Sequence, residues 1–193
     1  MKRLFCSKIL TRSQTALLAT AFVFGNHALA ENTKTLYLVD MQNNLHTFGQ
    51  VVLTPKAQGY HAQLTLDDSQ LEDFFLSMRP FKCLPHSEQH LCHLPYPYVN
   101  REHIGEQDLA DLSYQLLFIR RQPTDYGINP WFGVYYELNW QNEVGGVIEG
   151  ELREVDLDIL ASPPEDGNYR PITADDLHDA DASQHLFPKV LIK

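Results

Sequence analysis

The chain has little positive charge, few cysteines and no apolar run long enough to span a bilayer. Its 193 residues include 15 Lys and Arg against 25 Asp and Glu, which gives a net charge of −10. An acidic chain repels phosphate backbones and anionic headgroups, so we expect neither nucleic acid nor a membrane surface as its partner. A transmembrane helix needs about 20 apolar residues, and no segment of the sequence reaches that length.

Sequence motifs of common enzymes and cofactor sites are also missing. The chain has no Gly-x-Ser-x-Gly nucleophile motif, no phosphate-binding loop and no dinucleotide-binding fingerprint. Residues 179–183 begin like a calcium-binding loop, but Gln184 stands where that loop needs glycine and no glutamate follows at its twelfth position. We therefore expect no cofactor, and no motif identifies a catalytic residue.

The first thirty residues have the pattern of a secretory signal peptide. Basic residues from Lys2 to Arg12 precede an apolar stretch over residues 16–25, and Ala28-Leu29-Ala30 provides a cleavage site before Glu31. This pattern predicts a cleaved signal peptide over residues 1–30 and a single exported domain over residues 31–193, either periplasmic or secreted. Cleavage removes four basic residues and no acidic ones, so the mature chain carries a net charge of −14.

Cleavage leaves Cys83 and Cys92 as a pair. Exported proteins fold in an oxidising environment, so we predict a disulfide between these two residues. His86, His90 and His93 lie in or beside the enclosed loop, and in an alternative interpretation they bind a metal ion such as zinc or copper weakly. The disulfide is favoured because the Cys and His spacing matches no zinc-finger pattern and oxidation removes the thiolate ligands.

Alternation of apolar and polar residues predicts a mainly antiparallel β-domain of the α+β class. About seven strands are expected, and they form a curled sheet or a small barrel. The segments that favour strands are 35–39, 45–53, 60–66, 113–120, 132–140, the return strand after the connection at 141–146, and 187–192.

One amphipathic helix is predicted at about residues 69–78, packed against the sheet. Ser69 and Glu72 have the spacing of a capping box, and Pro80 ends the segment. Four apolar residues follow helical spacing: Leu71, Phe74, Phe75 and Met78.

The return strand contains a change of phase. Its apolar residues lie at even positions up to Leu152 and at odd positions from Val155 onward. A single buried face does not accept both phases, so we predict a β-bulge near residues 153–154.

Aromatic residues on irregular segments are the leading candidates for a ligand surface. Tyr96 and Tyr98 lie in a proline-rich segment, Tyr126 and Trp131 lie in the loop before the strongest strand, and Arg121 is a candidate anion contact beside that loop. We expect a non-enzymatic binding or accessory domain that presents these residues around the mouth or edge of the curled sheet. The disulfide loop holds one rim, and the partner is a small molecule, glycan or protein of the cell envelope.

Alternative interpretations concern the aromatic and acidic residues. The same aromatic residues also suit a lid that folds back over the sheet. A hydrolase of envelope polymers would use a carboxylate such as Glu137 or Glu151 with a nearby histidine. The row formed by Glu154, Asp156 and Asp158 is typical of a solvated strand face that discourages aggregation.

Overall fold

The computed structural model describes residues 30–193, so the predicted signal peptide lies outside the described residues except for Ala30. All strand pairs within this part of the chain are antiparallel. The strands are β1 Asn32–Val39, β2 Leu45–Pro55, β3 Tyr60–Leu66, β4 Glu72–Phe75, β5 Pro80–Leu84, β6 His90–His93, β7 His103–Ile104, β8 Phe118–Arg121, β9 Gly133–Gln141, β10 Val147–Val155, β11 His178–Asp179 and β12 Lys189–Ile192.

Helical structure is sparse in the described residues. The α-helix α1 spans Ala110–Ser113, and the other helical segments are single 3-10 turns. These turns are Asp68–Gln70, Tyr114–Leu116, Pro130–Phe132, Leu157–Leu160, Ala174–Asp176 and Ala182–Gln184. Within residues 30–193, no helix has the length and apolar character needed to cross a membrane.

The strands form one open sheet in the order β4-β5-β6-β8-β9-β10-β12-β1-β2-β3-β7, with β11 added beside β10. The mainly antiparallel β-fold is therefore confirmed, but the expectation of a small barrel of about seven strands is wrong. The sheet curls strongly. Its curvature is seen in the contact between β2 and β8, which lie five places apart in the strand order and still pack against each other. The rings of Phe48 and Phe118 are 5.9 Å apart between centroids.

Two cores form on opposite faces of the sheet. The inner core lies inside the curl and takes buried apolar side chains from nine of the strands: β1, β2, β3, β6, β7, β8, β9, β10 and β12. The outer core covers β8, β9 and the end of β10, and its buried residues are Tyr114, Leu117, Ile119, Tyr135, Val155, Leu157, Leu160 and Ile172. The segments that cover the outer face therefore lie between residues 94 and 177 rather than in a packed helix.

The predicted bulge at residues 153–154 is wrong. β9 and β10 pair in continuous register over all nine residues of β10. Ile148 and Leu152 belong to the inner core, whereas Val155 belongs to the outer core. The change of phase in the sequence therefore marks the point where the second face of the strand becomes buried.

The predicted helix at residues 69–78 is also wrong. Asp67 caps the turn Asp68–Gln70 by accepting from the backbone N–H of Ser69, and the chain then continues as β4. The side chains of Phe75 and Met78 are 76% and 97% exposed, so the apolar residues share no buried face. Hairpin pairing of β4 with β5 decides the local structure, because it brings Phe74 against a small buried cluster formed by Phe81, Cys83 and Cys92.

The segment between residues 80 and 93 contains strands that its prolines conceal in the sequence. Cys83 and Cys92 are register partners in β5 and β6 and are joined by a disulfide, which confirms the predicted pair. Pro80 is the first residue of β5 and Pro85 follows its last residue, and both positions tolerate a missing backbone N–H. This hairpin places the loop 85–89 at one end of the curled sheet.

Candidate functional site

A cavity of about 690 Å³ opens at one end of the curled sheet, and we call it the mouth cavity. Leu38 and Phe48 line it although both belong to the inner core and have no exposed surface. Polar side chains, including those of His46, Gln89 and His185, line it as well. An apolar floor with a few converging polar groups is the usual form of a small-molecule site.

The disulfide loop forms one side of the mouth cavity. Residues 84–86, 88 and 89 line the cavity, and all of them lie between Cys83 and Cys92. The side chain of Gln89 is buried, and its Nε2 donates to the carbonyl oxygen of Gln184 at 3.1 Å. This bond connects the disulfide loop to the 3-10 turn on the facing side of the cavity.

Another side of the mouth cavity is the turn between β1 and β2. The carboxylate of Asp40 accepts from the backbone N–H groups of Gln42 and Asn44, at 2.9 and 2.8 Å. Nε2 of His46 lies 2.9 Å from the same carboxylate, and this hydrogen bond is the main reason that the pKa of Asp40 is held well below its usual range. The His46 ring also meets the ring of Phe187 edge-on, with centroids 5.4 Å apart. The imidazole is thereby fixed at the rim.

A buried histidine completes the polar lining. Nε2 of His185 lies 3.0 Å from Oε1 of Glu154, and Nη2 of Arg120 donates to the same oxygen at 3.1 Å. Burial lowers the pKa of His185, although its contact with Glu154 acts in the opposite direction. A neutral imidazole at this position is available for hydrogen bonding without adding positive charge to the cavity.

A second cavity, of about 510 Å³, lies beside the proline-rich segment, and we call it the tyrosine cavity. Tyr96, Tyr98 and Tyr114 are among its lining residues. The ring of Tyr96 meets those of Tyr98 and Tyr114 edge-on, with centroids 5.7 and 4.7 Å apart. Two of the predicted site residues therefore lie together at a cavity.

The hydroxyl groups of these tyrosines are hydrogen-bonded to backbone groups. Tyr96 donates to the carbonyl oxygen of Tyr169 at 3.0 Å, and Tyr98 donates to that of Leu160 at 2.9 Å. The hydroxyl of Tyr114 accepts from the backbone N–H of Ile172 at 2.7 Å, and burial raises the pKa of this phenol. The tyrosines thus attach the segment from residue 160 to residue 172 to the outer core.

The structure does not bring Tyr126 and Trp131 to either cavity. Both side chains are exposed, with Trp131 at 72%. A Cβ atom on the neighbouring Gly127 would lie 3.1 Å from the carbonyl oxygen of Leu76, so Tyr126 is next to the β4–β5 turn. That turn is flanked by Phe75 and carries Met78, whose exposure the incorrect helix prediction concealed.

Arg121 is buried rather than displayed to a ligand. Its side chain lies against β6, where Nη1 is 3.0 Å from Nδ1 of His90, and Nη2 donates to the carbonyl oxygen of Asp125. Burial, followed by the charge of Arg121, lowers the pKa of His90. Arg121 lines neither of the two cavities.

The three histidines of the alternative metal site do not converge. His86 lies at the mouth cavity, His90 lies beside Arg121, and Nε2 of His93 lies 3.1 Å from the carbonyl oxygen of Gln115 at the tyrosine cavity. In the part of the chain that the structure describes, no three His, Cys, Asp or Glu side chains have an arrangement suited to a metal ion.

The carboxylates of the hydrolase alternative lie on β9 and β10. Glu137 and Glu151 are register partners, and both line a shallow groove of about 140 Å³. Glu137 is bound by Nε of Arg153 at 2.9 Å, and no histidine is among the groove residues within 30–193. The acidic row is also divided, because Glu154 is bound by Arg120 while Asp156 caps the turn Leu157–Leu160.

Apart from His86, the polar residues of the mouth cavity are the ones that sequence reasoning missed. The nearest usable indication was Asp40, which lies in the short polar connection between two predicted strands and six residues before His46. His185 gave no indication, because its partner Glu154 is 31 residues away in the sequence.

Comparison of the chain with models of protein families, with curated proteins and with solved structures returned no match. Roles for these residues are therefore inferred from their geometry and chemistry alone.

Proposed function

We propose that this chain is an exported, non-enzymatic binding domain of the cell envelope that takes a small, uncharged, amphipathic ligand into the mouth cavity. The observation that carries the proposal is a concave apolar surface at the end of the inner core, where Met41, Leu84 and Phe187 expose apolar area around a floor of buried Leu38 and Phe48. Apolar area that stays accessible in a folded protein favours binding of an apolar group, because the contact releases water from both surfaces.

The electrostatics of the rim favour a ligand without net charge. The chain is strongly acidic, so an anion is repelled over long range. The charge of Asp40 is already engaged with His46 and two backbone N–H groups, so a cation gains little there. The exposed side chains of His46, His86 and Gln122 supply donors and acceptors that orient a neutral polar group at the entrance.

Fluorescence titration with N-phenyl-1-naphthylamine tests the proposal, since this neutral probe brightens in an apolar site. We expect saturable binding to the chain over residues 31–193, with a Kd on the order of 100 μM or tighter for a ligand of this size. Gln42→Trp should weaken binding at least about tenfold, because Gln42 lines the mouth cavity and its side chain is exposed. A tenfold loss corresponds to about 1.4 kcal/mol.

The matched control is Val144→Trp, which adds the same indole at an exposed position of the β9–β10 connection. Binding of the probe by this variant should equal that of the unaltered chain, and both variants should keep its melting temperature. Absence of saturable binding, or equal binding by both tryptophan variants, would contradict the proposal.

Export is tested separately by N-terminal sequencing of the protein recovered from outside the cytoplasm. The expected first residue is Glu31. A chain that retains Met1 in that fraction would exclude cleavage.

A further inference from the structure

One edge of the sheet is open beside the tyrosine cavity. β7 pairs with β3 only at Tyr60 and His61, and the backbone N–H of Ala62 then donates to the carbonyl oxygen of Glu102 at 2.7 Å. Beyond this bond, no strand of the described residues pairs with β3 on that side. Leu64, Thr65 and Leu66 of β3 line the tyrosine cavity instead.

The direction of the free backbone groups follows from the register of β2 and β3. The backbone N–H of Asp67 donates to the carbonyl oxygen of Phe48 at 2.9 Å, so odd-numbered residues of this stretch bond to β2. Backbone groups alternate in direction along a strand. The carbonyl oxygen of Leu64 and the N–H of Leu66 therefore point away from β2, toward the tyrosine cavity.

Gln115 shows that this edge accepts the hydrogen bonds of a neighbouring strand. Its side-chain oxygen accepts from the backbone N–H of Leu64 at 2.8 Å, and its Nε2 donates to the carbonyl oxygen of Ala62 at 2.8 Å. One carboxamide thus satisfies a carbonyl oxygen and an N–H of β3 that would otherwise pair with a neighbouring strand. The next outward-facing backbone groups of β3, the carbonyl oxygen of Leu64 and the N–H of Leu66, remain open to a partner.

We propose that the tyrosine cavity binds an extended peptide segment of another protein, which adds to the free edge of β3 beyond Gln115. Main-chain bonds to Leu64 and Leu66 hold the peptide, and an apolar side chain enters the cavity beside Leu71 and Tyr98. A net charge of −10 on the binding chain favours a basic peptide. This site is separate from the mouth cavity and does not depend on the ligand proposed there.

A glycan fits this surface less well. Sugar rings stack on aromatic faces that are open to solvent, whereas Tyr96 and Tyr98 are half-buried, meet edge-on and have their hydroxyls bonded to carbonyl oxygens. A strand edge instead offers backbone groups at the spacing of another strand.

Selection of a displayed library of random heptapeptides against the folded chain tests this proposal. Enriched peptides should be basic and should alternate polar and apolar residues, and their synthetic forms should shift the backbone amide resonances of residues 64–66. N-methylation of one alternate set of peptide residues should weaken binding at least about tenfold, while methylation of the other set has little effect, because only one set faces β3.

Leu66→Pro, which removes an outward N–H at the edge, should weaken the peptide at least about tenfold. An unchanged circular dichroism spectrum and melting temperature show that this variant has folded, and if it has not, the N-methylated peptides decide alone. Failure to enrich any peptide, equal effects of both methylation sets, or resonance shifts confined to other residues would overturn the proposal. So would binding at residues 64–66 of a β-1,4-linked N-acetylglucosamine hexamer in place of peptides.

Discussion

The mouth cavity and the tyrosine cavity differ in what lies beneath them. The mouth cavity has buried residues of the inner core as its floor, and its polar side chains are fixed by short-range contacts such as that between Asp40 and His46. The tyrosine cavity lies between a strand edge and a segment that tyrosine hydroxyls hold in place. The first therefore combines a buried apolar floor with apolar side chains exposed at its rim, such as that of Met41, and the second combines unpaired backbone with a structural attachment.

Because of this difference, substitutions can affect binding without affecting stability at the mouth cavity, but not at the wall of the tyrosine cavity. Truncation of the mouth floor removes core packing, whereas substitution of exposed rim residues leaves the fold intact. In the tyrosine cavity the wall residues themselves hold residues 160–172, so their loss loosens the cover of the outer core.

The largest expected effect is at the floor of the mouth cavity. Phe48→Ala should lower the free energy of unfolding by about 3–5 kcal/mol, because Phe48 is fully buried and packs against Phe118. Met41→Ala at the rim should change it by less than about 0.5 kcal/mol, since Met41 is 48% exposed. Urea unfolding measures both values. A loss below about 1 kcal/mol for Phe48→Ala would show that the floor is not part of the core.

The disulfide should come next in size. Replacement of Cys83 and Cys92 by serine should cost about 2.7 kcal/mol in the chain-entropy model, because the bond closes a loop of about ten residues. Binding of the neutral probe in the mouth cavity should also weaken, since residues 84–89 between the cysteines form one of its sides. An equal loss of stability with unchanged probe binding would mean that the rim keeps its shape without the bond.

A smaller effect distinguishes two tyrosines of the other cavity. Tyr114→Phe leaves the N–H of Ile172 without its partner, in the buried outer core, which should cost about 1–3 kcal/mol. Tyr98→Phe removes only a donor to the carbonyl oxygen of Leu160 and should cost about 0.5–1.5 kcal/mol. Thermal unfolding of both variants checks the order, and a reversed order would contradict the structural role given to Tyr114.

The smallest expected effect is the loss of folding stability at acidic pH. Burial lowers the pKa values of His93 at the tyrosine cavity and His185 at the mouth cavity below the ordinary value of 6.5. The unfolded chain then binds more protons than the folded chain, so stability is full above pH 6.5 and falls as the pH drops through that value toward the lowered pKa values. Urea midpoints between pH 7.5 and 5 should therefore decrease on acidification.

The two histidines should contribute unequally to this decrease. Protonated His185 keeps Glu154 as a partner, whereas the hydrogen bond of His93 is to a backbone carbonyl oxygen. His93→Gln should therefore flatten the pH dependence more than His185→Gln. Equal slopes in both variants would remove this distinction between the cavities.

Sequence reasoning located the strands that bury one face and missed those whose conformation is set by pairing with another strand. Residues 60–66 match β3 in full, because apolar and polar residues alternate without interruption there. β4 was mistaken for helix because Leu71, Phe74, Phe75 and Met78 happen to repeat at helical spacing, while pairing with β5 determines their conformation. Local pattern does not reveal a cross-strand partner.

The candidate sites were still less accessible to sequence reasoning. Tyr96 and Tyr98 were found because aromatic residues on a proline-rich segment are unusual, but their hydroxyl partners lie more than 60 residues away. The mouth cavity combines residues 38–48, 84–89 and 183–187, which only the curl of the sheet brings together. No spacing rule connects segments so far apart.

The most direct test of binding at the mouth cavity is a methyl-resolved NMR titration with N-phenyl-1-naphthylamine. Methyl resonances of Leu38, Met41 and Leu84 report on the mouth cavity, and those of Leu64 and Leu66 report on the tyrosine cavity. We predict saturable shifts of the first group with the second unchanged. Shifts confined to the second group, or no saturable shift in the first, would contradict the account.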